Sequence, residues 1–218
     1  MDLYRHQDSG LFVRNKGHEG IIKEQREWSS LRGVGAILKN TLALDLGGHI
    51  GCFPWWAFAH LGLRKVVSVE PDPANIEVYR ANWSGADRTE LIEAAVAEKG
   101  GEEISLYLGR TYSASNSVYP FRGRQEIRVK TVAFQQLLKK YKPTLIKCDI
   151  EGAEYGLDWR ALPSHVRAVC MELHQHRPEW CQQQLDLVAL IVSQGFKPLR
   201  DPRPPITFTR CSIGVWSR

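Results

Sequence analysis

Nowhere in the 218 residues does an apolar run approach the roughly eighteen that a membrane-spanning helix needs, so no span is expected. The amino terminus, MDLYRHQDSG, lacks the apolar core of a signal peptide, which makes the cytoplasm the expected location. Cysteine is sparse and unpatterned. Cys52, Cys148, Cys170, Cys181 and Cys211 are odd in number and form no CxxC pair, as expected of reduced thiols, several of them in a core. Asn82, Trp83 and Ser84 spell a glycosylation sequon, which has no meaning without secretion. No internal repeat, low-complexity tract or dividing linker is evident. The net charge of +5 allows an anionic substrate without demanding one. What is there, 43% apolar and 24% charged residues, is an ordinary globular composition, at a length that suits one domain with a sizeable core.

The chain is organised around Thr41 to Gly51, TLALDLGGHIG, and Lys65 to Asp72, KVVSVEPD. Each reads as a short buried strand, the first running into a glycine-rich turn with Asp45 before it, the second ended by Glu70 and Pro71. The apolar stretch Cys52 to Leu61 between them is long enough for one crossover helix, so the three form a right-handed βαβ unit. Ligands of such sheets sit beyond the carboxyl ends of the strands, where the glycines and Glu70 fall. Gly47 and Gly51 would let the backbone turn and approach a ligand, and Glu70 would accept hydrogen bonds from two ribose hydroxyls. The dinucleotide fingerprint GxGxxG is missing, because Gly47, Gly48 and Gly51 read GGxxG. A carboxylate at Asp45 disfavours a pyrophosphate and favours a sulfonium or ammonium, hence S-adenosylmethionine over NAD.

Further along, Asp72 is a helix N-cap and Pro73 a first helical residue, which predicts a helix over Pro73 to Trp83. Thr89 to Ala97 reads as a third strand, with adenine expected near its small residues Ala94 to Val96. Ile104 to Leu108 and Ile127 to Val132 read as two more strands, joined by a long loop over 109–124. In that loop Tyr112, Ser113, Ser115 and Asn116 are candidates for binding hydroxyls, and Arg110, Arg122 and Arg124 for a phosphate or carboxylate; a solvated loop with water-facing arginines is the plain alternative. Ala133 to Tyr141 is an amphipathic helix stopped by Pro143. Thr144 to Ile150 reads as the fourth parallel strand, with Asp149 and Glu151 on one face by its two-residue period. Val166 to Leu173 is the fifth, after which Glu172, His174 and His176 alternate onto one side. Trp180 to Gln194 is a helix capped by Gly195, and Phe196 to Leu199 pairs with Cys211 to Trp216 around Asp201 to Pro205. Met1 to Asn40 is the least readable part, with a short edge strand at Leu11 to Val13 and a polar helix over Glu19 to Arg32; it serves as a packing arm or as a substrate lid.

DLGGHIG, VSVEPDPAN and the later IKCDIEGAE match, in order and spacing, the FkbM-type methyltransferases of the class I fold, which the chain resembles from about Ala43 to His174. Glu172, Leu173 and His174 look like that family's acid and histidine, while Gly48 and His49 depart from its usual small residue and Asn. The resemblance implies an α/β fold: a doubly wound, mostly parallel, seven-stranded Rossmann-like sheet with a final antiparallel strand and helices on both faces. It would occupy 41–218, with 1–40 as a cap or packing arm. The implied activity is S-adenosylmethionine-dependent O-methylation of a hydroxyl on a sugar, glycan or secondary metabolite. Asp45, Gly47, Gly48, Gly51, Glu70, Pro71, Ala95 and Asp149 would bind the cofactor.

A sugar-type hydroxyl needs a base. His174, nearest neutrality in its reference pKa, is the first candidate and Asp149 the second, with Glu151 and Glu154 orienting groups; a core histidine bonded to Glu172 is the competing reading. Carboxylates and imidazoles here would suit a divalent cation, but charge pairing explains the cluster as well, and no metal is assigned. Two rivals remain. A nucleic-acid methyltransferase suits the basic pI, yet the amino-methylating tetrapeptide with two prolines is replaced by Asp149, Ile150, Glu151 and Gly152, and no interleaving of aromatic and basic residues indicates an RNA platform. A cofactor-binding relic without catalysis is the other. Oligomeric state is not legible.

Overall fold

The computed structural model describes residues 3–14, 18, 22, 24–109, 115–202 and 211–218, with backbone only at 24–27. Strands β1 (Tyr4–Arg5) and β2 (Phe12–Val13) make a small antiparallel hairpin. A 3-10 segment, Glu24–Val34, runs into the single turn α1 (Gly35–Leu38). There follow β3 (Leu42–Leu46), α2 (Cys52–His60), β4 (Lys65–Val69), α3 (Pro73–Trp83), β5 (Thr89–Ile92) and β6 (Ala95–Ala97). The chain continues through β7 (Glu103–Leu108), β8 (Gln125–Ala133), α4 (Phe134–Tyr141) and β9 (Leu145–Cys148). A short 3-10 turn, Ala153–Gly156, leads to β10 (Ala168–Leu173), α5 (Pro178–Ser193), β11 (Lys197–Arg200) and β12 (Ser212–Ser217).

Seven strands form one sheet in the order β11-β12-β10-β9-β3-β4-β5, parallel from β10 to β5, with β12 antiparallel to both neighbours. This is the doubly wound, Rossmann-like arrangement with a late antiparallel strand. Alternation along β3 divides the core. Leu42, Leu44 and Leu46 pack with Phe134, Leu137, Leu187 and Ile191 of α4 and α5. Ala43 faces the other way, into a cluster with Phe53, Trp56 and Val78 of α2 and α3. Leu11, Val13, Trp28, Leu31 and Leu38 are buried in that second cluster, so the first forty residues share a core with the sheet.

The Asp72 carboxylate caps α3 through Ala74 N (2.9 Å), with Pro73 in the first turn. The expected third strand is two. β5 pairs with β4, then the chain bends at Glu93 and Ala94, and β6 pairs with β8 in a separate three-stranded sheet, β6-β8-β7. The expected face shared by Asp149 and Glu151 is also corrected: β9 ends at Cys148, and Glu151 has a left-handed backbone (φ 55°), so strand alternation does not reach them. Arg110, Tyr112, Ser113, part of the expected helix over Glu19 to Arg32 and part of the turn over Asp201 to Pro205 lie outside the described residues.

Candidate functional site

The registers Leu46↔Val69 and Leu46↔Cys148 put the ends of β3, β4 and β9 level. One residue further on stand Gly47, Glu70 and Asp149, at the carboxyl edge where open α/β sheets bind ligands. A cleft partly open to solvent lies over this edge. Gly47, Gly48, Glu70, Pro71, Ala95, Asp149 and Glu151 line it, as do Trp28, His49 and Phe53.

Asp45 and Gly51 are not among the residues that line the cleft. Asp45 is fully buried behind the glycine turn. Its carboxylate accepts from Ser68 Oγ (2.8 Å) and faces Lys147 Nζ (3.2 Å), so its charge is answered inside the protein rather than by a ligand. Lys147, missed in the sequence as one cation within an apolar strand, also donates to Gly47 O (2.8 Å) and stands 3.8 Å from Asp149 Oδ2. Burial alone would depress its pKa, but the two carboxylates outweigh burial, raise it and keep the ammonium charged.

The glycines also have a different reason for being there. A Cβ on Gly47 (φ +83°) would stand 1.8 Å from Asp149 O, and one on Gly48 2.8 Å from Ser68 Cβ. On Gly51 it would strike the Trp83 indole. Close approach of the turn to its own neighbours, more than to a ligand, demands glycine.

Glu70 accepts from His49 N (2.9 Å), Asp72 N (3.0 Å) and Asn75 Nδ2 (3.2 Å). Burial lifts its pKa to about 7 against the pull of those donors. A carboxylate offers about four lone-pair directions, so one more donor can be accommodated. Asn75 in turn accepts from Arg14 Nη2 (2.7 Å), which connects the amino-terminal segment to this corner.

At the other side of the cleft, His174 is buried (2% exposed) among four carboxylates. Glu154, wholly buried, is bonded to its Nδ1 (3.1 Å) and accepts from its backbone N (2.9 Å), while the second Glu154 oxygen accepts from Gly152 N (2.9 Å). Nε2 lies 3.3 Å from Glu151 Oε2 and 3.9 Å from both Asp149 Oδ1 and Glu172 Oε1. The ring's near partners are therefore Glu154 and Glu151, rather than the expected Glu172. Burial would lower the imidazole pKa; Glu154 and Glu151 outweigh it and hold the ring protonated well above its ordinary range. Burial also raises the Glu151 carboxyl, against the pull of His174. The His176 ring lies 5.7 Å from that of His174.

Of the 109–124 loop, Asn116 and Val118 line the cleft. Asn116 bridges Asp72 Oδ2 (2.8 Å) and Gly109 N (2.7 Å), and Ser117 Oγ donates to Glu151 O (2.7 Å), so the described part of the loop fastens the site. Arg124 is taken up by the Phe121 ring and Ser115 O.

The family model described as "Methyltransferase FkbM domain" matches residues 45–198. No curated protein matches the sequence. Among solved structures, methyltransferase FkbM from Methylobacillus flagellatus KT is 19% identical, with a TM-score of 0.55 over 82% of this chain and 44% of its own. The chain thus spans less than half of that protein. Precorrin-6y C5,15-methyltransferase from Geobacter metallireducens GS-15 (9% identity, 100% and 94% covered, TM-score 0.48) is more distant in shape. So is Aeropyrum pernix fibrillarin in complex with S-adenosylmethionine (10%, 99% and 81%, TM-score 0.46).

Proposed function

This chain belongs to the FkbM methyltransferase family, and from that premise we propose that it moves the methyl group of S-adenosylmethionine to a hydroxyl oxygen of a sugar, glycan or secondary metabolite. The observation that carries the reading is one cleft lined both by Glu70 and by Asp149 and Glu151. The first is suited to a ribose, the others to a proton. The Glu70 corner of the cleft can accept one more donor, and Ala95 and Val96 leave flat apolar space for a base. These residues fit an adenosine-containing cofactor.

S-adenosylmethionine, when bound, supplies a methyl group already activated on a sulfonium sulfur. The protein's part is alignment and proton removal. Glu70, Pro71 and Ala95 would hold the nucleoside. Asp45 acts at one remove, through Lys147, which ties the glycine turn to the Asp149 strand end. His174 is not the free base that residue type suggests, because both ring nitrogens face carboxylates. Glu151 takes that role: it lines the cleft, its side chain is partly exposed, and burial lifts its carboxyl toward the range useful to a base. The acceptor oxygen gains the methyl group as its proton passes to Glu151, and Asp149 orients the hydroxyl.

Calorimetric titration with S-adenosylmethionine, S-adenosylhomocysteine and NAD, in wild type and Glu70→Ala, tests the cofactor half. Binding of the sulfur nucleosides alone, lost in the variant, is expected; preference for NAD would overturn it. Transfer of labelled methyl to a panel of glycans and hydroxylated metabolites, with Glu151→Gln as control, tests the acceptor half.

A further inference from the structure

We propose that Asp149, Glu172 and His174 hold a divalent first-row cation, with Mn²⁺ or Zn²⁺ as its chemical type, beside the Asp149 edge of the cleft. Asp149 Oδ1, Glu172 Oε1 and His174 Nε2 all lie within 4.8 Å of one another. Nε2 is 3.9 Å from each carboxylate oxygen, too far for a hydrogen bond. That gap accepts an ion bonded at about 2.0–2.2 Å to each ligand.

Two further observations favour an ion over a packed ion pair. The His174 ring is aimed by Glu154, which binds Nδ1 from the side away from the cluster and is itself fixed by two backbone N–H groups. A carboxylate on one imidazole nitrogen that presents the other to a metal is the usual outer arrangement of histidine ligands. Asp149 is divided in the same way, with Oδ2 toward Lys147 and Oδ1 toward the ring.

Charge points the same way. Among the described residues Asp149, Glu151, Glu154 and Glu172 surround one imidazole, and the nearby Lys147 is shared with Asp45. One imidazole with two carboxylates suits Mn²⁺, Fe²⁺ or Zn²⁺. Nε2 can carry a proton or an ion, never both. With an ion there, Glu151 is released from the ring. Resting on the methyl-transfer reading, the ion would coordinate the acceptor oxygen, lower the pKa of its hydroxyl and let Glu151 remove the proton.

The test uses the full chain stripped with EDTA, titrated with Mn²⁺ and with Zn²⁺ by calorimetry and followed for Mn²⁺ by electron paramagnetic resonance. S-adenosylhomocysteine binding is measured in parallel. One ion per chain is expected, with affinity down at least roughly tenfold in Glu172→Gln and S-adenosylhomocysteine affinity unchanged. Asp149→Asn, read by its ion affinity alone, should lose the ion to the same degree should Glu172→Gln fail to fold. No saturable ion binding in protein that binds S-adenosylhomocysteine would overturn the site and leave a charge-paired cluster; equal ion affinity in wild type and both variants would place the ion elsewhere. Ion binding without nucleoside binding would sink the cofactor reading and leave the metal site standing.

Discussion

Replacing Lys147 by Met strands a buried acid. Lys147 is 5% exposed and Asp45 wholly buried, and the ammonium is the only cation beside that carboxylate among the described residues. With Met in its place, Asp45 keeps the Ser68 hydroxyl and nothing else of opposite charge. It must then stay charged without a partner or take up a proton. Holding a carboxyl of ordinary pKa near 3.9 protonated at pH 7 costs about 4 kcal/mol, within the ~3–5 kcal/mol typical of breaking a buried pair. At pH 5 the same proton costs only about 1.5 kcal/mol. The sign follows from linkage: burial already holds the Asp45 pKa above its ordinary value, and losing Lys147 raises it further, so the variant's added loss is small at low pH and grows as pH rises. Urea unfolding at pH 5 and pH 7 reads both numbers, and Lys147→Met/Asp45→Asn should recover most of the loss at pH 7. A variant within 1 kcal/mol of wild type at pH 7, or one with no dependence on pH, would refute the idea that this pair organises the strand ends.

Glu70 titrates in the opposite experimental direction to a paired acid. Its folded pKa of about 7 lies above its reference value of 4.5, so the unliganded protein should lose stability between about pH 4.5 and 7, by up to roughly 3 kcal/mol; melting temperatures that fail to fall over this range, or that fall equally in Glu70→Gln, would contradict the assignment. Glu154→Gln puts an amide NH₂ where a backbone N–H now points, at Gly152 or at His174, and should cost about 2 kcal/mol and reduce kcat. Full stability by denaturant titration would rule that out. Gly47→Ala forces a Cβ onto Asp149 O at a left-handed backbone, so the expected cost of about 2–5 kcal/mol appears in unfolding of the unliganded chain; loss of nucleoside affinity at unchanged stability would return the glycine to the ligand.

Where local chemistry decides structure, the sequence was readable. Asp72 followed by Pro73 specifies a helix start whatever packs around it, and the βαβ unit follows from two apolar runs and a turn. The split of Thr89–Ala97 was hidden because its residues suit either sheet, and only the pairing of β6 with β8 decides the bend. Lys147 was invisible for a related reason: burial of a lysine depends on an acid 102 positions earlier in the chain, Asp45, lying on the adjacent strand, a fact of topology rather than pattern. Asp149, Glu151 and His174 were correctly grouped, but through strand alternation that the structure does not use. Their meeting comes from level strand ends and the left-handed turn at Glu151 and Gly152.

Asn82 carries a consequence for covalent modification. Its amide nitrogen donates to Phe12 O (3.2 Å) and Ile50 O (2.8 Å), and its carbonyl oxygen accepts from Phe12 N (2.5 Å). Both amide hydrogens are therefore engaged at the nitrogen that an N-linked sugar would occupy. A glycan attached there would separate β2 from the turn leading into α2 and displace the segment whose Arg14 reaches Asn75. Sequon and fold are mutually exclusive at this residue, so the tripeptide marks a clasp between distant parts of the chain rather than a place for carbohydrate.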